Sequence, residues 1–364
     1  MIYLARPNIT NADIKEAKKV LKSGMLVQGK VVRELEEQIN KYIGSTYCSC
    51  VSNGTASLHL ALVALGIGPG DEVIVPSLSF VATANVVEIV GATCVFVDVH
   101  PRYFNIDESQ IEKVITKKTK AIIPVHEFGL SANMTKIVEI AKKYNLFIIE
   151  DAACALGATY ENKYAGTFGD FGSFSLHPRK AITSGEGGLL VTSSFEYDKI
   201  VKTIRNHGIE PNSNPMNFTM AGFNYRLTEI QAALVKSQLS RIDSIIETKA
   251  NIAFRYLSEI KNSSYLLPLI PKNAKHTWQT FHILIDNGKA RERLIEYLKK
   301  HGIFTNYGAQ CIPAMNYYQN KYKSDYINDY SSSYNAYTCG LAIPLYETLT
   351  TNQVNKIISV LNKF

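Results

Sequence analysis

Residues 173–188 read Ser-Phe-Ser-Leu-His-Pro-Arg-Lys-Ala-Ile-Thr-Ser-Gly-Glu-Gly-Gly. A lysine, Lys180, stands between a strand-like stretch and a glycine-rich turn. Residues 186–192 (EGGLLVT) then read as a further strand. Toward the amino terminus, short apolar runs recur at Glu72–Pro76, Thr93–Asp98, Lys120–Val125 and Leu146–Ile149. Helical patterns near 55–66, 80–90, 107–115 and 134–143 separate them. This alternation predicts an α/β fold whose mostly parallel sheet carries helices on both faces. Substrate is then expected beyond the carboxyl ends of the strands.

Thr10 and Asp13 have the spacing of a capping box ahead of a helix over 11–23. Val31, Leu35, Ile39 and Ile43 recur every four residues and predict a second helix. A long helical pattern from Leu227 to about Lys261 reads as a connector between two domains. Beyond it, a strand signal at Thr280–Ile285 and helix signals at Ala290–His301 and Asn352–Leu361 suggest a smaller α/β domain. The expected division is 1–245 and 246–364. The segment Pro313–Tyr337, rich in Tyr, Asn and Ser, is expected to be irregular and to face substrate.

At 364 residues the chain has room for two domains, at roughly 100–200 residues each. It is 46% hydrophobic and 20% charged, which excludes a disordered chain. The net charge of +7 is spread along the sequence, so no nucleic-acid partner is expected. No run of 18 apolar residues occurs, and no membrane span is expected. The six cysteines form no CxxC pair and no zinc spacing, so no metal site is expected. A reduced, cytoplasmic setting is the simplest account.

Three other stretches bear on Lys180. Asn53-Gly-Thr-Ala-Ser57 follows a short strand and opens a helix. Gly54 permits the turn, and the free N–H groups of Thr55 and Ala56 favour an anion. Glu150-Asp-Ala-Ala-Cys154 follows the apolar strand Leu146–Ile149, which puts acidic residues at the active edge of the sheet; a carboxylate there can keep a pyridinium nitrogen protonated. Gly222-Phe-Asn-Tyr-Arg226 precedes the long helix and suits a phosphate contact. Taken singly, these are also ordinary helix caps and polar turns.

Taken together, and in order with VFVDV, PVHEFG, RNHG and AIPLYETLTTNQV, the motifs resemble the DegT/StrS family of pyridoxal-phosphate (PLP) sugar aminotransferases. The resemblance covers about residues 3–360. It implies PLP fold type I: a large parallel-sheet domain with a smaller carboxyl-terminal domain. It implies that Lys180 forms the Schiff base, Asp151 pairs with the pyridine nitrogen and Phe80 stacks on the ring. Gly54, Thr55, Ala56 and Ser175 would surround the phosphate, with Cys154 near the cofactor's hydroxyl. Asn224 would reach the phosphate of a neighbouring subunit, so a homodimer is expected. His177 and Glu186 lie nearby in sequence, and Arg179 and Arg226 are candidates for the donor's carboxylate.

The chemistry explains these residue types. PLP draws electrons from the reacting carbon only while its ring nitrogen is protonated, and an adjacent carboxylate favours that state. A lysine amine can both form the imine and move a proton. The resemblance further implies L-glutamate as donor and a nucleotide-linked 4-keto-6-deoxy sugar as acceptor, for surface polysaccharide such as capsule.

Three positions depart from the family pattern: Cys154 stands for Gln or His, Asn133 for Asp, and TNYGAQCIPAMNYY at 305–318 for a stretch with a histidine. The last leaves a smaller keto-phosphate, such as dihydroxyacetone phosphate, as the alternative acceptor. A sugar dehydratase is disfavoured because relatives of that kind replace the lysine with histidine. A regulator without activity would leave Lys180 and Asp151 idle. A nucleotide-binding α/β protein lacks its phosphate loop here.

Overall fold

The computed structural model describes residues 1–364. Seven strands form the central sheet: β1 (Tyr47–Val51), β2 (Glu72–Pro76), β3 (Thr93–Val97), β4 (Thr119–Ile122), β5 (Phe147–Asp151), β6 (Phe171–Ser175) and β7 (Gly188–Thr192). Their spatial order is β1-β7-β6-β5-β4-β2-β3. Only β7 runs against the rest, pairing antiparallel with β1 and β6. The mostly parallel sheet is therefore as expected.

The helices between the strands are α3 (Gly54–Ala64), α4 (Ala82–Ile89), α5 (Glu108–Val114) and α6 (Met134–Tyr144). One side of the sheet buries Leu60, Val73, Val75 and Phe171 with α3, and another cluster holds Ile74, Ile122, Ile137 and Ile148. Burial on both faces explains why the strands read as continuous apolar runs rather than alternating ones.

Ahead of β1 lie α1 (Asn11–Ser23) and α2 (Lys30–Ile43). Thr10 and Asp13 form the capping box at the start of α1. In α2, Val32, Leu35, Ile39 and Ile43 are buried, each contributing about 1.5–3 kcal/mol. The α2 amino terminus is held by Glu229, whose carboxylate accepts from the N–H groups of Gly29, Val31 and Val32 at 2.8–2.9 Å. Glu36 of α2 accepts from buried Arg205 at 2.6 Å and from the Cys50 N–H at 2.9 Å. This ties α2 to β1 and to the end of α7 (Phe195–Ile204).

The long helix expected over 227–261 is two helices, α8 (Glu229–Leu239) and α9 (Ile242–Glu259). The break falls at Ser240–Arg241. Arg241 leaves helical geometry at φ −121° and donates to Asp13 at 2.7 Å. Sequence periodicity survives such a break, because both helices bury the same kind of face: Val235 and Leu239 on one, Ile242 and Ile246 on the other.

The carboxyl-terminal part builds a second sheet from β8 (Tyr265–Leu266), β9 (Phe281–Ile285) and β10 (Gly340–Ile343), with α10 (Gly288–Lys300) and α14 (Thr351–Lys363). Its core gathers Tyr256, Trp278, Phe281, Leu294 and Ile357, and Ile2 joins it. Ile2 pairs with the stretch beside Ile303 through Gly302 and Phe304.

The segment Pro313–Tyr337 is not irregular. It folds into α11 (Asn316–Tyr322), α12 (Tyr326–Asp329) and most of α13 (Ser331–Cys339). Its tyrosines anchor it to the edge of the main sheet. Tyr317 donates to Glu88 at 2.9 Å, Tyr322 accepts from the Cys94 N–H at 2.9 Å, and both Tyr318 and Tyr322 lie edge-on to Phe96. A composition rich in Tyr, Asn and Ser suggests a loop only while these distant partners are out of view.

Candidate active site

The carboxyl ends of β4, β5 and β6 meet at one edge of the main sheet, and the candidate residues gather there. Asp151 ends β5 and is buried, 5% exposed. Thr83 of α4 donates to its Oδ2 at 2.8 Å, and the Ala153 N–H donates to Oδ1 at 3.2 Å. Burial pushes the Asp151 carboxyl above the usual range, and these bonds and the nearby Lys180 charge only partly offset it. This carboxylate lacks a close cationic partner, which a protonated ring nitrogen would supply.

Lys180 follows β6 on the turn opened by His177, whose carbonyl accepts from the Lys180 N–H at 2.8 Å. Its Nζ donates to Cys154 Sγ at 3.1 Å. Burial holds the Cys154 thiol above its usual value, so it meets Lys180 as a neutral group. Asp151, Cys154 and Lys180 are therefore brought together at this edge.

At the start of α3, the Asn53 side chain accepts from the Ala56 N–H at 2.8 Å. That corrects one expectation: the Ala56 N–H is already capped. The N–H groups of Gly54 and Thr55 precede the first intrahelical bond and stay available to an anion. A Cβ at Gly54 would lie 3.1 Å from the Cβ of Ser175, so glycine lets the helix start close against β6. Ser57 donates to the Gly54 carbonyl at 2.7 Å and meets Ser173, fixing this approach. The hydroxyl of Ser175, the two N–H groups and the helix dipole form a donor set that suits a dianionic phosphate. With Lys180 and Asp151, the residues present fit PLP.

Phe80 is 66% exposed one turn before Thr83, so it is not the core residue that a phenylalanine usually is. Asn224 is exposed and pairs through its backbone with Asn206; it makes no contact with the cluster within one chain. Glu186 is exposed and holds α8 through its carbonyl, which accepts from Gln231 at 2.7 Å. His177 is half-buried, and burial lowers its pKa. Arg226 donates to Asn206, whereas Arg179 lines a cleft with Gln279 and Asn306.

Sequence reading assigned no role to several residues. Thr83 orients Asp151 from 68 positions away. His126 and Glu150, both fully buried, join the ends of β4 and β5. Glu127 is buried beside them, and Lys249 of α9 is buried, which, with a smaller contribution from the nearby Lys180 charge, lowers its pKa to about 8. The PVHEFG stretch after a predicted strand was the available signal for His126 and Glu127. None existed for Thr83 or Lys249.

A family model, the DegT/DnrJ/EryC1/StrS aminotransferase family, matches residues 7–362. The chain belongs to this family. It is a PLP-dependent aminotransferase of fold type I. GDP-perosamine synthase of Caulobacter vibrioides is 36% identical over 339 residues, covering 92% of this chain and 90% of that protein. Spr1654 of Streptococcus pneumoniae, solved in PLP and PMP forms, superposes with TM-scores of 0.93 and 0.94 at 29% identity; the match covers 99% of this chain and 97% and 96% of those structures. Helicobacter pylori PseC, an aminotransferase involved in the biosynthesis of pseudoaminic acid, gives a TM-score of 0.94 at 29% identity, covering 100% and 98%. No helix of the chain is long and apolar enough to cross a membrane.

Proposed function

We propose that this aminotransferase moves an amino group from L-glutamate to the keto group of a nucleotide-linked 4-keto-6-deoxy sugar, for a surface glycan such as capsule. The observation that carries the reading is the Lys180 amine held on Cys154 at the carboxyl edge of the sheet, near enough to the buried Asp151 carboxyl for its charge to be felt there. The names of the relatives, GDP-perosamine synthase and PseC among them, support the sugar acceptor.

In this reading PLP supplies an electron sink for the carbon that carries the amine. Lys180 binds it covalently and, once released, moves the proton at that carbon. Asp151, oriented by Thr83, holds the ring nitrogen positive. Gly54, Thr55 and Ser175 hold the phosphate, and Phe80 covers one face of the ring. The neutral thiol of Cys154 keeps the Lys180 amine directed into the cleft. Asn224 of a second copy completes the phosphate site, which makes the working unit a cytoplasmic homodimer. The chain divides into 1–245, which holds the cofactor, and 246–364.

The test is a two-step assay on purified protein. L-Glutamate should convert the bound cofactor to its amine form and release 2-oxoglutarate. GDP-, UDP- and dTDP-linked 4-keto-6-deoxy sugars should then return the original absorbance. Return by dihydroxyacetone phosphate alone would favour the smaller acceptor, which the unusual stretch 305–318 suggests. Return by none of them would overturn the reading.

A further inference from the structure

Two buried polar side chains, Glu127 and His276, line one small cavity next to the turn that packs on Cys154. The first is Glu127, 6% exposed, on the turn after β4. This turn is held rigidly. The Glu127 N–H donates to Asn105 Oδ1 at 2.8 Å, and the Asn105 amide donates to the carbonyls of Leu130 and Ser131 at 3.1 and 3.0 Å. Phe128 and Gly129 both take positive φ, at 56° and 98°. A Cβ on Gly129 would lie 3.0 Å from the Cys154 carbonyl oxygen, so the turn sits directly against the peptide of Cys154. The Glu127 carboxyl makes no hydrogen bond within the chain. Burial and the Asp151 charge push it up to about 8, while the Lys180 charge opposes them. It is thus a neutral acid close enough to Asp151 and Lys180 to feel their charges.

The second is His276, 8% exposed, which lines the same cavity. Its ring stacks on Trp278 at 4.2 Å. Its Nδ1 accepts from the Trp278 N–H at 2.8 Å, which leaves the proton on Nε2, where it has no partner. Burial and the charge of Lys249 lower its pKa to about 3, so it too is neutral. Thr280 and Arg102 are also part of the lining.

A buried donor left unpaired costs about 1–3 kcal/mol, and a bound oxygen atom relieves that cost. Two neutral donors lining one cavity suit a hydroxyl better than an apolar group or a bare anion. We propose that Glu127 and His276 form a hydroxyl-recognising subsite for the acceptor, set between the cofactor cleft and the carboxyl-terminal sheet. The inference rests on the keto-sugar reading above and deepens it: the acceptor must carry a ring hydroxyl that reaches this cavity. A site built to pair such a group discriminates strongly against an analogue that lacks it.

The experiment uses the cofactor-loaded protein in its amine form with the keto sugars named above. Wild type, Glu127→Leu, Glu127→Gln and His276→Phe are compared by acceptor KM and by calorimetric binding of the sugar. Glu127→Leu should weaken acceptor binding roughly 10- to 100-fold, as loss of one hydrogen bond in a desolvated site does. The loss should exceed that in the glutamate step at least tenfold, and Glu127→Gln should recover part of it. Glu127→Leu with wild-type acceptor affinity, or with equal losses in both steps, would overturn the subsite while leaving the keto-sugar reading intact. If no keto sugar reacts with wild type, that reading itself fails and the subsite falls with it.

Discussion

His126 Nε2 lies 2.9 Å from Glu150 Oε2, with both side chains fully buried. The Ala132 N–H donates to His126 Nδ1 at 3.1 Å, so Nε2 carries the proton and donates to Glu150. Glu150 also accepts from the N–H groups of Gly166, Phe168 and Gly169 at 2.6–2.8 Å. One carboxylate therefore joins the ends of two strands to the loop that leads into β6. Asp151, the next residue, inherits its position from this joint. Glu150→Ala would strand four donors, those of His126 and Gly166 fully buried and those of Phe168 and Gly169 half-buried. It should cost about 2–6 kcal/mol in urea unfolding, since each fully buried donor left unpaired costs about 1–3 kcal/mol.

Lys180 is the proposed covalent anchor. After borohydride reduction, wild type should retain a cofactor-sized increase in mass. Lys180→Ala should not, although phosphate contacts at α3 should still let it bind PLP reversibly. Wild type that shows no increase in mass after reduction would count against the assignment.

Asp151→Asn keeps the hydrogen-bonding shape beside Thr83 and removes the charge. An opposite charge at this range shifts a partner's pKa by about 1–3 units, so the glutamate half-reaction should slow by about 10- to 1,000-fold. Stopped-flow absorbance of the cofactor measures this. Thr83→Val should have a smaller effect in the same direction, because it loosens Asp151 without removing the charge.

Acid stability is expected to depend on His282. Its ring stacks on Phe128 at 4.5 Å, and neither ring nitrogen has a partner. Burial lowers its pKa from 6.5 to about 3. The folded state thus binds fewer protons than the unfolded one in this range. Its stabilising share is complete above pH 6.5 and is lost as pH falls toward 3. His282→Phe removes the titration and the unpaired nitrogens. Urea midpoints at pH 7 and pH 5 should lie closer together than in wild type.

Glu127 acts with the opposite sign. Its carboxyl rises from 4.5 to about 8 in the folded protein, so folding favours its protonated form. Stability from this group is greatest below pH 4.5 and declines as pH rises through 8. Glu127→Gln should flatten that decline in protein without added cofactor. Asp151, raised in the same direction, leaves a residual slope.

The sequence by itself determined the order of strands and helices, the caps at Thr10 and Asn53, and the placement of Lys180 after β6 and of Asp151 at the end of β5. These follow from local rules: apolar periodicity, side-chain capping and the short reach of a strand–turn connection. Tertiary structure decided what those rules cannot contain. The break at Arg241 depends on Asp13, 228 residues away. The helical fold of 316–339 depends on Glu88 and Phe96, and the setting of Asp151 depends on Thr83. Burial shifts the titration of Glu127, His276 and His282, and burial is a property of the assembled core rather than of any stretch of chain.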